Sequence, residues 1–433
     1  MTQPTSAGIG AMCVRPRSRS LSPGIRLALV GMVAAIGLAG CAGTASNSTA
    51  TATTTSASTS STDIPSPTPA PSPTAAPPLS FVATGSMQIA RLDATATLLK
   101  NGKVLIAGGA KGLGMTDTIL AEAELYDPAT GKFTFTGSMT AARLSAAATL
   151  LSDGRVLIAG GNGCSEPKLC TNGSFGGGEE RLASAEIYDP ATGKFTATGS
   201  MGSPSWSGNA TLLPDGRVLV SGPDFPPELY DPTTGKFGAT GQSVDIKSPV
   251  TSTLLPNGKV LLTGYAASPQ LYDEGSGKFT DISITLPAGT PEATYDNHSV
   301  PRSGTLVTGT LLPDGRVLLY DNGYLETYDS ATGICADAGF ISPSGEWDWP
   351  TATLLADGSV LYQGGAYVAR DKTGTYAQAA VLYSPTASQY RKGHTQEARG
   401  GETATLLADG SVLIAGGEDA DSKALASAEL FKP

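Results

Sequence analysis

The residues with the means to do chemistry are few and scattered. There are two histidines, His298 and His394, and among the five cysteines Cys164 and Cys170 lie close enough to close a small disulfide loop or to remain two free thiols. A threonine that recurs along the chain (Thr97, Thr149, Thr211, Thr253, Thr310, Thr353, Thr405) supplies a ruler, and six residues before it stand Arg91, Arg143, Ser205, Lys247, Gly304, Trp347 and Arg399. Cations at one step of a repeat suit an anionic ligand, because a guanidinium makes charge-assisted bonds to a carboxylate. The other reading pairs those arginines with nearby acids such as Asp93 and Glu402. Trp206, Trp347 and Trp349 precede the same threonines, either as platforms for a sugar ring or as filler between units, and Asn209 follows the first of them. Asp93, Asp348 and Glu402 have the side chains of a hydrolase pair, and His298, Asp296 and His394 those of a weak metal site. Nothing fixes either set in space. Gly-x-Ser-x-Gly, His-Glu-x-x-His, phosphate-loop and zinc-type cysteine patterns are all missing. No catalytic residue, metal ligand or cofactor is therefore assigned.

The elements that must position these residues are repeated. Thr95 to Gly109 reads TATLLKNGKVLIAGG, and six related segments follow it, each an apolar run, an Asn-Gly or Asp-Gly pair and a second apolar run. The pair predicts a β-hairpin, with a two-residue type I′ turn in which both central residues take positive φ. A third strand ends each repeat in a Tyr-Asp-Pro-like segment, and a fourth opens with Gly-Lys-Phe in GKFTFTGSM and GKFTATGSM. The anchor threonines are 42 to 62 residues apart, which suits a four-stranded unit repeated seven times. The last repeat stops at Pro433 without its fourth strand, whereas SFVATGSM at residues 80–87 matches KFTATGSM. The N-terminal strand is thus expected to complete the last unit and leave no open edge. The Asp-Gly end of each unit hardly changes between repeats, so structure alone accounts for it. The loops at the other end vary, and the long ones belong to repeats six, seven, one and two. Binding is expected at that variable end.

The first forty residues hold four arginines and no acid, so their removal takes the net charge from −10 to −14. An acidic chain is a poor partner for nucleic acid. The apolar run LALVGMVAAIGLAG is too short to span a membrane comfortably and reads as an export signal. Leu38-Ala39-Gly40-Cys41 resembles the lipobox of bacterial lipoproteins, which implies a lipid on Cys41; the alternative is a plain secretory signal. From Ala42 to Pro78 only Gly43, Asn47, Asp63 and Ile64 are not Ser, Thr, Ala or Pro, so the segment has little to bury and is expected to act as a disordered tether. The resulting division is a signal at 1–40, a lipidated cysteine and tether at 41–79, and the repeats at 80–433.

With its hairpins ending in Gly-Gly, its Tyr-Asp and its aromatic after Thr-Gly-Lys, the repeat region resembles the kelch family, and within it the central domain of galactose oxidase. The resemblance implies an all-β, seven-bladed β-propeller. Repeats three, four and five lack Gly-Gly, and the aromatic position is Cys335 in the fifth and Tyr390 in the sixth. Galactose oxidase holds copper with two histidines and two tyrosines, one cross-linked to a cysteine. Neither histidine here belongs to a Tyr-His pair, both fall in segments between repeats, and Cys335 aligns with a core phenylalanine. The reading is a monomeric binder, held at the bacterial envelope only by its lipid, that takes a glycan or acidic peptide through Arg91, Arg143, Arg399 and Lys247. A carbohydrate-active enzyme and an envelope scaffold are the alternatives.

Overall fold

A computed structural model describes residues 77–112, 118–164, 180–222, 225–240, 249–264, 269–282, 293–295, 298–300, 308–321, 323–341, 346–348, 350–368, 374–376 and 378–433. The chain divides into Met1–Ser72 and Pro73–Pro433, and all described residues belong to the second unit. Cys41, the export segment and most of the tether lie outside them, as do Cys170, Lys247, Asp296 and Trp349. Every regular element is a β-strand, and the described residues contain no helix.

They hold seven four-stranded antiparallel sheets, the first six each built from one repeat. In the first sheet the inner strand Thr95–Leu98 pairs with Val104–Ala107, that with Ala123–Asp127, and that with the outer strand Lys132–Phe135. In the last sheet Thr403–Leu406, Val412–Ala415 and Ala428–Lys432 are completed by Ser80–Ala83, with Phe81 opposite Phe431. The outermost strand of the last sheet therefore comes from the start of the repeat region.

Alternation decides where the cores lie. Along Val104–Ala107 all four side chains are buried, because odd and even positions face different neighbours. Val104 and Ile106 pack with Leu413, Ala415 and Ala428 of the last sheet, while Leu105 and Ala107 pack with Val156, Ile158 and Tyr188 of the second. The pattern continues through the four-stranded sheets: among the described residues six core clusters lie between successive sheets and a seventh between the last and the first, while a small eighth, Ala110, Ile119, Ala142 and Leu144, lies outside them. The inner strands also touch in that cyclic order. Sheets buried on both faces explain why the central strands are continuously apolar instead of alternating.

Hydroxyls and glycines join one sheet to the next. Thr84, just past Ser80–Ala83, bonds the Tyr126 hydroxyl at 2.9 Å, and Thr136 with Tyr188 and Thr198 with Tyr230 repeat the contact. The adjoining Gly85 donates its N–H to Gly131 O at 3.0 Å, and a Cβ at Gly85 would collide with that oxygen. Where they occur, the Tyr and Thr-Gly of the repeat are inter-sheet clamps.

The hairpin turns differ from the expected type I′. The Leu99 N–H donates to Lys103 O and the Gly102 N–H to Leu99 O, so the loop has three residues. Only its glycine has positive φ, at 81° for Gly102 and 92° for Gly154. The Asn or Asp keeps negative φ because its side chain accepts a backbone N–H two residues on, as Asn101 does from Lys103 and Asp153 from Arg155. A type I turn closed by a left-handed glycine satisfies the same dipeptide.

Candidate functional site

The three arginines do not line an open funnel. Arg91, Arg143 and Arg399 are each 1% exposed and are locked in one recurring module. Arg91 donates to the carbonyls of Gly108 and Glu122, both at 2.8 Å, and pairs with Glu124 at 2.7 Å. Arg143 does the same with Gly160, Ser184 and Glu186, and Arg399 with Gly416, Ser427 and Glu429. Each glutamate also accepts backbone N–H groups from the segment leading into the sheet: Gln88 and Ile89 on Glu124, Thr140 and Ala141 on Glu186, Gln396 on Glu429. Burial lowers the pKa of Arg91 and Arg143, and the facing glutamate opposes the shift. The expectation of three open cations is corrected. Their charge is spent inside the framework, on glutamates from the third strand and, for Arg399, also on Glu397, rather than in an ion pair with Asp93 or Glu402.

Among the other candidates, Trp206 is 39% exposed and available for contact. Asn209 opens the inner strand Asn209–Leu212, half-buried and opposite Ser221. Trp347 lies not in a loop but in the strand Glu346–Asp348, opposite Tyr367, and its side chain and that of Asp348 lie outside the described residues. Cys164 ends a short strand, Asn162–Cys164, with its side chain outside them too. The histidines also sit in strands: His298 begins His298–Val300, and His394 closes the outer strand of the sixth sheet, exposed and opposite Ala379.

Glu402 is the one candidate placed unlike its counterparts. It stands just before the last inner strand, at the step occupied elsewhere by Ala94, Ala146, Gly208, Val250, Val307 and Pro350. Its carboxyl reaches across to the sixth sheet, taking up the space a Cβ on Gly364 would need. There Gln363 Nε2 and the Thr351 hydroxyl donate to Glu402 Oε1 at 3.2 and 3.3 Å. Glu402 Oε2 and Gln363 Oε1 have no hydrogen-bond partner, although the residues are 7% and 0% exposed. Burial pushes the Glu402 carboxyl up to about 7, with the charge of Asp93 adding to the rise. Asp93 lies two residues before the inner strand of the first sheet, in the left-handed region at φ 52°, and its N–H donates to Gly401 O at 2.8 Å. Burial and the charge of Glu418 raise Asp93 to about 6. Carboxyls that titrate near neutrality, set beside unanswered acceptors, can take a hydrogen-bond donor or hold a proton.

The described residues do not fit a copper centre. No group of three or more His, Cys, Asp or Glu among them is placed to hold a metal ion. Cys335 is buried opposite Tyr328 in the core between the fourth and fifth sheets, and burial pushes its thiol up to about 12.

The sequence matches no protein-family model, and no curated relative is found. Among solved structures the chain is similar to one described as a novel fungal alcohol oxidase with catalytic diversity among the AA5 family, in complex with copper. Identity is 15%, the TM-score is 0.59, and the match covers 82% of this chain and 76% of that one. At that identity the likeness speaks for the fold alone: an all-β chain of four-stranded antiparallel sheets, of the β-propeller type found in galactose oxidase-like proteins.

Proposed function

We propose that the chain is a seven-bladed β-propeller that binds a glycan or peptide at the variable-loop end of its sheets, and that it is exported and held at the bacterial envelope by a lipid on Cys41. The observation that carries the binding reading is Glu402. A buried carboxylate with no ion pair, on which the charge of Arg399 offsets only part of the cost of burial, is unfavourable, and the small or apolar residues at the same step of the other six repeats mean the framework does not require one. Such a group is better suited to a ligand that brings donors, such as sugar hydroxyls or peptide N–H groups. A preference for anionic ligands has lost its carriers, since the arginines are already neutralised.

A second reading is a hydrolase in which Glu402 is the general acid, favoured by the rise of its pKa to about 7. A glycan and peptide array followed by turnover assays on any hit separates the two. Binding without turnover, weakened in Glu402→Gln, supports the binder; turnover lost in that variant selects the hydrolase. No hit in either class removes both. The anchor is tested by mass spectrometry of the membrane-fraction N-terminus, where a chain beginning at a lipid-free residue would exclude the lipoprotein.

A further inference from the structure

The third sheet carries the same glutamate as the first, second and last, but without the residues that seal it. Glu228 accepts the Gly202 N–H at 2.9 Å and the Ser203 N–H at 3.2 Å, as its counterparts accept theirs. Where the other three have an arginine there is Ser205, which is buried and turns its hydroxyl to Ser207 O. Among the described residues no cation pairs with Glu228.

A second substitution opens the site. In the first and last sheets the glutamate is covered by a glutamine side chain that reaches the outer strand: Gln88 Nε2 donates to Phe133 O at 3.5 Å and Gln396 Nε2 to Phe81 O at 2.8 Å. The residue at that step in the third sheet is Gly202, which has no side chain to span the gap. In its place lies an open cavity of about 480 Å³, lined by Glu228 together with Pro226, Pro227, Phe237 and Ala239. Glu228 is accordingly 7% exposed, against 0% and 1% for Glu124 and Glu186. Two further cavities, of about 360 and 280 Å³, lie between successive Asp-Gly turns at the opposite end and are lined by turn residues that recur with the repeat.

We propose that this cavity is a binding site for a guanidinium group, as presented by an arginine side chain of a peptide. The molecule itself shows what satisfies this glutamate, because three sealed copies answer it with a guanidinium. The cavity admits a group of that size. Phe237 and the two prolines offer flat apolar surface for the planar cation to lie against, and the carboxylate supplies its charge partner. The proposal deepens the peptide branch of the binding reading by naming a side chain that the loop end selects.

The test is calorimetric titration of the full chain with N-acetyl-arginine methylamide, beside its neutral isostere N-acetyl-citrulline methylamide. The arginine probe is expected to bind saturably in the millimolar range or tighter, and the citrulline probe at least tenfold more weakly. Gly202→Gln restores the covering side chain of the first and last sheets, and the nearest atoms to its Cβ are those of the Glu228 carboxylate at ordinary contact, 3.5 to 3.8 Å. It should abolish binding and leave the melting temperature unchanged. Ala239→Lys sets a competing ammonium on the exposed residue paired with Glu228 and should do the same. Equal binding of both probes, binding that survives in Gly202→Gln, or no saturable binding of the arginine probe would each overturn the site. If the array returns a ligand while the arginine probe fails, this inference falls and the broader binding reading stands.

Discussion

Arg143 and Glu402 are both buried charges at the loop end of the sheets, yet they are answered very differently. Arg143 meets two carbonyls and a glutamate that itself holds two backbone N–H groups, and the arrangement recurs at Arg91 and, with one backbone N–H on its glutamate, at Arg399. Glu402 meets one amide and one hydroxyl on a single oxygen, leaves the other oxygen bare, and has no counterpart in any repeat. The contrast separates two uses of buried charge. Arg143 leaves its Nε without an acceptor, yet its charge is answered by Glu186; a buried charge that repeats and is satisfied in this way belongs to the framework, whereas one that is singular and has no ion-pair partner is a burden that binding would relieve.

The largest effect should follow from breaking the satisfied side. Arg143→Ala strands the Glu186 carboxylate in a dry site and should cost about 3–5 kcal/mol in chemical denaturation, since removing one partner of a buried pair leaves an uncompensated charge. Ser205→Ala, at the same step of the third sheet, should change stability by less than about 1 kcal/mol. Equal losses at the two positions would dissolve the distinction. Phe81→Ala tests the seam where the first strand completes the last sheet: it removes a ring 5.2 Å from Phe431 and 7% exposed, and should cost about 3 kcal/mol.

The unsatisfied side should show itself in pH dependence. Glu402 and Asp93 have folded-state pKa values raised to about 7 and about 6 from ordinary values of 4.5 and 3.8. At these two groups the native state then binds more protons than the unfolded chain, so their contribution to stability is greatest below the ordinary values and declines as pH rises through the window up to the folded ones. Glu402→Gln should flatten that decline and gain up to about 3 kcal/mol at pH 8, because each pKa unit corresponds to about 1.4 kcal/mol. A melting temperature that rises from pH 5 to pH 8 in the wild type would contradict the assignment. The smallest effect should come from a clamp: Tyr188→Phe loses only the 2.9 Å bond to Thr136, about 1 kcal/mol by denaturation.

Much of the fold was legible in the sequence because the repeat states its own pairing. Thr-Leu-Leu, Asp-Gly and Tyr-Asp recur in one order, and residues 80–87 match the fourth strand that the last repeat lacks. The turn type was misread because Asp-Gly suits two different hairpin loops, and the aspartate side chain selects the longer one. The arginines were misread for a geometric reason. Counting back from the anchor threonine gives position along a strand, not which side of the sheet the side chain takes, and the partner glutamates are 30 to 43 residues away. A signal did exist. Repeats one, two and seven carry both the arginine and a glutamate two residues before the Tyr or Phe of the third strand, the fourth has Lys247 with Gln270, the sixth carries neither, and the third and fifth keep Glu228 and Glu326 without an arginine at that step. Such pairing within one chain marks a buried module, and the third repeat, where the arginine is Ser205 and the covering glutamine is Gly202, marks the opening. Gln363 and the unmet oxygen of Glu402 left no trace in the sequence, since only the approach of the sixth sheet to the last brings them together.

The most direct measurement is the affinity of any ligand found on the array for wild type and Glu402→Gln, taken beside their melting temperatures at pH 8. If Glu402 is held at the mouth to meet a ligand, the variant binds at least tenfold more weakly while melting at the same or a higher temperature, since a hydrogen bond to a charged group contributes about 1.5–3 kcal/mol. Unchanged affinity together with a lower melting temperature would place Glu402 in the framework with Arg143 and contradict the account.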